Sequence, residues 1–280
     1  MDFVLRRRVK LYSLLLSVCV FGNKAFAGNF SDSSSSALTD KDVVVLQLSD
    51  PAPTAVQKIN TLELNTANSS SFEVMKTMKE MAIKAHANIV KIAEEHDDKV
   101  THAPDKMKVV LYSATNAHPY ERAIAWDKTR KLDWTDFRGP IPADAGDMTA
   151  AATYCGIGFE TNVVTNNAKP KIFVYNTFYP TQSWVRSDEK NESVLIHEQG
   201  HFDLCELYTR KLRQKLETVS LNVHNMKSAL QRVYDEVNNE YEHRQDAYEA
   251  ETEHGVNDAQ EQKWTLAISK ELAATEKWAE

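Results

Sequence analysis

The chain has 280 residues, 42% of them hydrophobic and 26% charged, a globular composition that excludes a disordered tail protein or a fibrous repeat. Lys and Arg number 33 against 40 Asp and Glu, a formal net charge of -7, and no basic cluster follows residue 10. That balance argues against a nucleic-acid or anionic-membrane surface.

Residues 1–27 open with Arg6, Arg7, Arg8 and Lys10, run through LYSLLLSVCVFG and end in Ala25-Phe26-Ala27. A basic start, a short apolar run and small residues at -3 and -1 predict a secretory signal peptide cleaved before Gly28. The rival reading, a membrane anchor, needs about 18 to 20 apolar residues, more than this run supplies. Without residues 1–27 the chain keeps 28 basic against 39 acidic side chains, net -11. No later apolar run is long enough to span a bilayer, so no stable membrane insertion is expected after cleavage and the product is expected to be periplasmic or secreted. Cys19 leaves with the signal peptide. Cys155 and Cys205 then form one disulfide in an oxidising compartment or, alternatively, Cys205 is a small buried residue on its helix.

The Ser- and Asp-rich stretch 28–41 (SDSSSS) lacks apolar residues to bury and reads as a flexible leader. VVVLQLS (43–49) is a short strand, and apolar residues at spacings of three and four predict a helix over 71–96 with Ser71 as its N-cap. MKVVLYS (107–113) and KIFVYNTFY (171–179) have strand composition, and most of the Gly and Pro turn signals fall between about 120 and 190. After Pro180 the chain has no Pro and two Gly, Gly200 and Gly255. Helices are predicted at about 190–217, 220–253 and 257–278, the second stopped by His254-Gly255, where Gly ends a helix in the left-handed region.

The chemistry concentrates in SVLIHEQGHFDLC (193–205), which contains His197-Glu198-Gln199-Gly200-His201 on a predicted helix. Residues four apart lie about one turn plus 40° around a helix, so both imidazoles project from one face and can meet one ion. Glu198, displaced by about 100°, lies beside that ion and suits a general base acting on a bound water. With nine His in 280 residues, a chance match to the three fixed positions is expected only about 0.02 times. Val194, Leu195 and Ile196 precede the motif, so two imidazoles and a carboxylate enter a buried place, costly unless something satisfies them. Gly200 in mid-helix costs about 1 kcal/mol relative to Ala, acceptable where another element must approach closely.

Tetrahedral zinc in a hydrolase needs three protein ligands plus water, one more than two His supply. Asp203 and Glu206 lie about 240° and 180° around the helix from His197, away from the metal face. His254, in YEAETEHG (248–255) at the end of the next helix, is the better candidate, with Glu249, Glu251, Glu253, His224 and His243 as alternatives. Asp203 or Glu206 then fixes an imidazole from behind, or Glu206 and Arg210 form a surface pair at i,i+4. Tyr248 is either a phenol donating to the oxyanion or an aromatic packed at helical spacing with Tyr241.

These residues resemble the bacterial DUF922 family, described as secreted zinc-dependent proteases. The resemblance covers about Leu132 to Trp264: LDWTDFRGPIP (132–142), AATYCGIGFE (151–160), Ser183-Trp184-Val185, HEQGHFDLCE (197–206), and YEAETEHG with Gln262 and Trp264 after it. Where the family shows Asp after the Tyr of its last motif, Glu249 stands here and keeps the charge. The resemblance implies His197 and His201 as metal ligands, Glu198 as base, and His254 as leading third ligand.

The reading is an α+β, zincin-like metallopeptidase, with a small mixed sheet over the HExxH helix and a helical C-terminal half. KIFVYNTFY is the candidate edge strand that receives an extended peptide. The domains expected are the signal peptide (1–27), the leader (28–41), an N-terminal α/β extension (42–118) and the catalytic domain (119–280). One zinc ion per chain is held by His197, His201 and His254, Glu198 and Tyr248 are catalytic, and the partner is a peptide or protein substrate rather than nucleic acid. The alternatives are a non-catalytic zinc-binding envelope protein, whose fourth ligand would be Asp203 or a Glu after Tyr248, and a helical interaction module.

Overall fold

Apolar side chains in consecutive pairs make a strand buried on both faces, and that pattern organises the N-terminal part of the computed structural model. The structure describes residue 39 and residues 42–279 other than 68, 70, 98–103, 147, 148, 163–170 and 222–224. The predicted signal peptide lies outside the described residues, as does the leader but for residue 39. The chain divides into two compact units: Arg122–Phe159 with Val174–Glu280, and a second that runs to Glu121 and takes in Glu160–Phe173.

The second unit holds a four-stranded mixed sheet in the order β1-β3-β4-β2, made of β1 (Val44–Leu46), β2 (Gln57–Asn65), β3 (Ile89–Asp97) and β4 (Pro104–Ser113). β1 runs parallel to β3, and β4 is antiparallel to both β3 and β2. Helix α1 (Ser71–Lys84) buries Val74, Met78 and Ala82 against Val90, Ile92, Val109 and Leu111.

The helix predicted over 71–96 therefore stops twelve residues early, and Ser71 is its first residue rather than its cap. His86 adopts φ 53° and breaks it. Ile89, Val90 and Ile92 then enter a central strand where both faces are covered, a setting in which β-branched residues outcompete helix. Asn88 fixes the entry by accepting from the Ala114 N–H (2.9 Å) and donating to the Ala114 carbonyl (2.8 Å). β2 escaped prediction because its exposed run QKINTLELN is an edge strand with weak alternation.

The first unit is the helical half. α2 (Glu192–Glu217), α3 (Met226–Thr252) and α4 (Asp258–Ala274) match the three predicted helices closely. Asn191 caps α2 by accepting from the Val194 N–H at 3.0 Å, and Asn257 caps α4 through Gln260. α2 is buried along most of its length: Phe202, Leu204, Leu207 and Leu212 are at most 1% exposed. Tyr241 and Tyr248 of α3 and Trp264, Ile268 and Leu272 of α4 are also buried.

The strands β5 (Ala151–Ala152) with β8 (Trp184–Val185), and β6 (Cys155–Asn162) with β7 (Lys171–Phe178), make two small two-stranded sheets. The four-stranded mixed sheet belongs to the other unit. β7, the expected edge strand, pairs with β6, and its last residue Phe178 bridges Ile124. Against α2 lie Thr153, after β5, and the first residue of β6: the Thr153 hydroxyl donates to the Glu198 carbonyl at 3.1 Å, and the Cys155 thiol lies 3.8 Å from the His201 carbonyl. Among the described residues the architecture is α+β, with small sheets and four α-helices. No helix among the described residues is long and apolar enough to cross a membrane.

Candidate metal centre

The first half of α2 turns His197, Glu198, Gly200 and His201 into the protein, with His197 and His201 each 4% exposed and Glu198 2%. One helical turn brings the two Nε2 atoms to 3.2 Å. α3 supplies the third group: Glu249 carries Oε1 3.3 Å from His201 Nε2 and Oε2 3.5 Å from His197 Nε2. Ligands about 2.0 to 2.1 Å from a tetrahedral ion stand about 3.3 to 3.4 Å apart, so the two Nε2 atoms, with a Glu249 oxygen within 3.5 Å of each, form a group that could hold a metal ion. Two imidazole nitrogens and a carboxylate are also a donor set that zinc accepts.

Each imidazole is fixed from behind. His197 Nδ1 lies 3.1 Å from Glu261 Oε2, and His201 Nδ1 lies 2.7 Å from Gln245 Oε1. With Nδ1 given to an acceptor, Nε2 of each ring is the atom turned toward the site. Two such nitrogens 3.2 Å apart need a proton or a cation between them. Burial alone would lower the His197 pKa, but Glu249 and Glu261 outweigh it and raise the imidazole to about 9.

Tyr248 is fully buried beneath this pair. Its ring stacks on His197 (4.9 Å between centroids, 18° between planes) and meets His201 edge-on at 5.0 Å. Its hydroxyl donates to Glu261 Oε1 in a short hydrogen bond and lies 3.1 Å from the His197 carbonyl oxygen. Burial first, and then the Glu261 charge, push the phenol well above its ordinary range, so it stays a donor. Gly200 makes this fit possible, because a Cβ there would lie 2.1 Å from the Tyr248 hydroxyl. Here is the close approach that a glycine in mid-helix implied.

α3 ends in three successive left-handed residues, Glu253 (φ 52°), His254 (φ 60°) and Gly255 (φ 84°). Two of them bear side chains, an arrangement that costs free energy and needs a reason. The turn brings the Gly255 backbone against His197, where an added Cβ would lie 2.9 Å from Cγ. His254 points outward, its side chain 79% exposed, with Nδ1 2.8 Å from Glu249 Oε2. The third donor grouped with His197 and His201 is thus Glu249, and His254 stands behind that carboxylate. Glu251 accepts from the Trp264 indole, Glu253 is exposed, and His243 is exposed. His224 falls outside the described residues.

Glu198 Oε2 is buried and has no hydrogen-bond partner among the described residues. Asp203 and Glu206 do other work. Asp203 accepts from the Trp126 indole and from the Gln199 amide, each at 2.6 Å, and Gln199 accepts from the Leu132 N–H at 2.8 Å. These contacts fasten the segment before β5 to the outer face of α2. Glu206 and Arg210 do pair at i,i+4, at 2.7 Å, but both are buried rather than at the surface. Cys155 and Cys205 are free buried thiols, and burial together with Cys155 raises the Cys205 pKa.

Sequence reasoning missed Glu261 and Gln245. Gln245 had a signal, since it lies one turn before Glu249 on the α3 face that also carries Tyr241 and Tyr248. Glu261 had none, because only the left-handed turn returns α4 to His197.

Residues 179–255 match a family described as "Bacterial protein of unknown function (DUF922)". The matched segment spans α2, α3 and the left-handed turn, and with them His197, Glu198, His201, Tyr248 and Glu249. No curated protein and no solved structure matches the chain.

Proposed function

We propose that this protein is a zinc-dependent hydrolase of peptide bonds, exported from the cytoplasm and acting on a peptide or protein substrate. The reading is carried by one observation: the Nε2 atoms of His197 and His201 stand 3.2 Å apart, each within 3.5 Å of a Glu249 carboxylate oxygen, in a chain where a buried carboxylate oxygen of the neighbouring Glu198 has no partner among the described residues. Three protein ligands leave a tetrahedral ion one open position, the mark of a catalytic rather than a structural site. Asp203, a candidate for closing that position, is engaged by Trp126 and Gln199 instead.

His197, His201 and Glu249 would hold the ion, which when bound would supply Lewis acidity toward a water and toward the substrate carbonyl. Glu198 takes the proton of the attacking water on Oε2 and returns it to the leaving amine. Glu261 and Gln245 keep His197 and His201 oriented throughout. Tyr248, buried and hydrogen-bonded to Glu261, supports the centre from below, which replaces the oxyanion role expected for it.

The test is peptide hydrolysis by the purified protein and by Glu198→Gln at equal zinc content. The substitution is expected to lower kcat about 10²- to 10⁴-fold while leaving zinc bound. Full activity in Glu198→Gln on a substrate that the parent cleaves overturns the mechanism.

A further inference from the structure

Glu261 is a carboxylate 4% exposed, and its ion-pair partner is an imidazole, His197. Burying a carboxylate against a histidine alone is expensive. Its place in the first turn of α4 lowers that cost, because the helix N-terminus favours negative charge. Its two oxygens are divided: Oε1 receives the Tyr248 hydroxyl, and Oε2 faces His197 Nδ1 at 3.1 Å. Tyr248 is thirteen residues earlier, on α3, and the two helices are joined by the left-handed turn Glu253–Gly255. The turn therefore delivers a carboxylate from α4, outside the segment 179–255 that the family match covers, to the back of a ring on α2.

We propose that Glu261 and Tyr248 act together as the positioning pair of the metal centre. Glu261 holds His197 with its proton on Nδ1, so that Nε2 faces His201 and Glu249. Tyr248 holds Glu261 in the orientation that does this, and its ring, stacked on His197 and edge-on to His201, keeps both imidazoles from rotating away. Neither residue touches the reacting atoms. The proposal rests on the metal-centre reading of His197, His201 and Glu249 and extends it to residues that a list of ligands leaves out.

The decisive experiment measures zinc affinity by chelator competition for the parent, Glu261→Met, Glu261→Gln, Tyr248→Phe and the double variant Tyr248→Phe/Glu261→Met. Thermal unfolding of each zinc-free protein is followed alongside. Glu261→Met keeps the volume but removes both acceptor oxygens, and is expected to weaken zinc binding about 10- to 100-fold. Glu261→Gln, which restores one acceptor, is expected to recover part of that loss. Tyr248→Phe is expected to weaken binding less than Glu261→Met, and the double variant to bind within about twofold of Glu261→Met, since Tyr248 acts through Glu261. If Glu261→Met does not fold, Glu261→Gln against the parent and its double variant with Tyr248→Phe carry the same comparison. Zinc binding by the Glu261 variants within about twofold of the parent overturns the positioning pair alone, and so do fully multiplicative effects in the double variant. A parent that binds no zinc in the same assay overturns the metal centre itself, and the pair with it.

Discussion

In the sheet unit, α1, β3 and β4 bury Val, Met, Ala, Ile and Leu, and the buried Lys91 ammonium is given to three backbone carbonyls. In the helical unit α2 alone buries His197, Glu198, His201, Glu206 and Arg210. An aliphatic core stabilises by area and needs no partner chemistry. A core of ionisable groups gains little net stability and stands only while every member is satisfied. The comparison teaches where chemistry could be placed: in the unit whose interior is costly to maintain, at the point where a buried carboxylate oxygen of Glu198 still lacks a partner among the described residues.

The sharpest way to break this contrast is to damage each core and read both stability and zinc affinity. Arg210 is 1% exposed and joins Glu206 (2.7 Å), the Leu272 carbonyl (2.8 Å) and Glu276 (3.0 Å), tying α2 to the end of α4. Arg210→Ala takes from the buried Glu206 carboxylate its closest cationic partner, leaving it the Asn176 amide (2.8 Å) and Arg213 (3.7 Å), and is expected to cost about 3 kcal/mol in urea unfolding. Leu111→Ala, in the aliphatic core, is expected to cost about 2 to 5 kcal/mol with zinc affinity unchanged. A loss of zinc affinity in Leu111→Ala would show that the division of labour is false.

Acidity probes the second half of the contrast. The imidazole of His197 has a folded-state pKa of about 9 against an ordinary 6.5. In zinc-free protein its contribution is therefore fully present below pH 6.5 and is lost as the pH rises through 9, a fall of about 3 kcal/mol if His197 acts alone. Zinc competes with the same proton, so its apparent affinity is expected to climb over that window, by up to about tenfold per pH unit. Denaturant midpoints of the zinc-free protein from pH 6 to 9, with zinc affinities over the same range, check both halves. A flat stability profile would remove the carboxylate cage from the account of His197.

Gly200→Ala is expected to act on both quantities more gently. Alanine in mid-helix normally gains about 1 kcal/mol over glycine. Here the added Cβ would meet the Tyr248 hydroxyl at 2.1 Å, so the sign reverses, with a net loss of about 1 to 3 kcal/mol and a weaker hold on zinc.

How far these features could be read from residues alone follows the range of the interactions that set them. α2, α3 and α4 were legible because their periodicity is local and Pro180 is the last proline in the chain. The pair His197 and His201 was legible for the same reason, being one turn apart on one helix. The passage from α1 into β3 was not, since the spacing over 71–96 fits a helix and only the pairing of Ile89 with Val44 and Tyr112 on neighbouring strands selects the strand. Glu261 was invisible because a turn of three left-handed residues, two of them not glycine, brings it back. His254 stood out because a histidine beside a glycine looks free to move, while the turn that frees it aims it outward in this structure.

That last point gives the smallest effect and the closest discrimination. His254 reaches Glu249 Oε2 at 2.8 Å from an exposed position, whereas Glu249 itself faces both Nε2 atoms. A solvent-exposed pair contributes at most about 1 kcal/mol, so His254→Ala is expected to weaken zinc binding by no more than about fivefold. Glu249→Ala removes one of the three proposed ligands and is expected to abolish stoichiometric zinc at micromolar concentrations. Zinc content of the two variants prepared side by side decides between them. Loss in His254→Ala with retention in Glu249→Ala would move the third ligand to the imidazole, and the left-handed turn would then have to rearrange when metal binds.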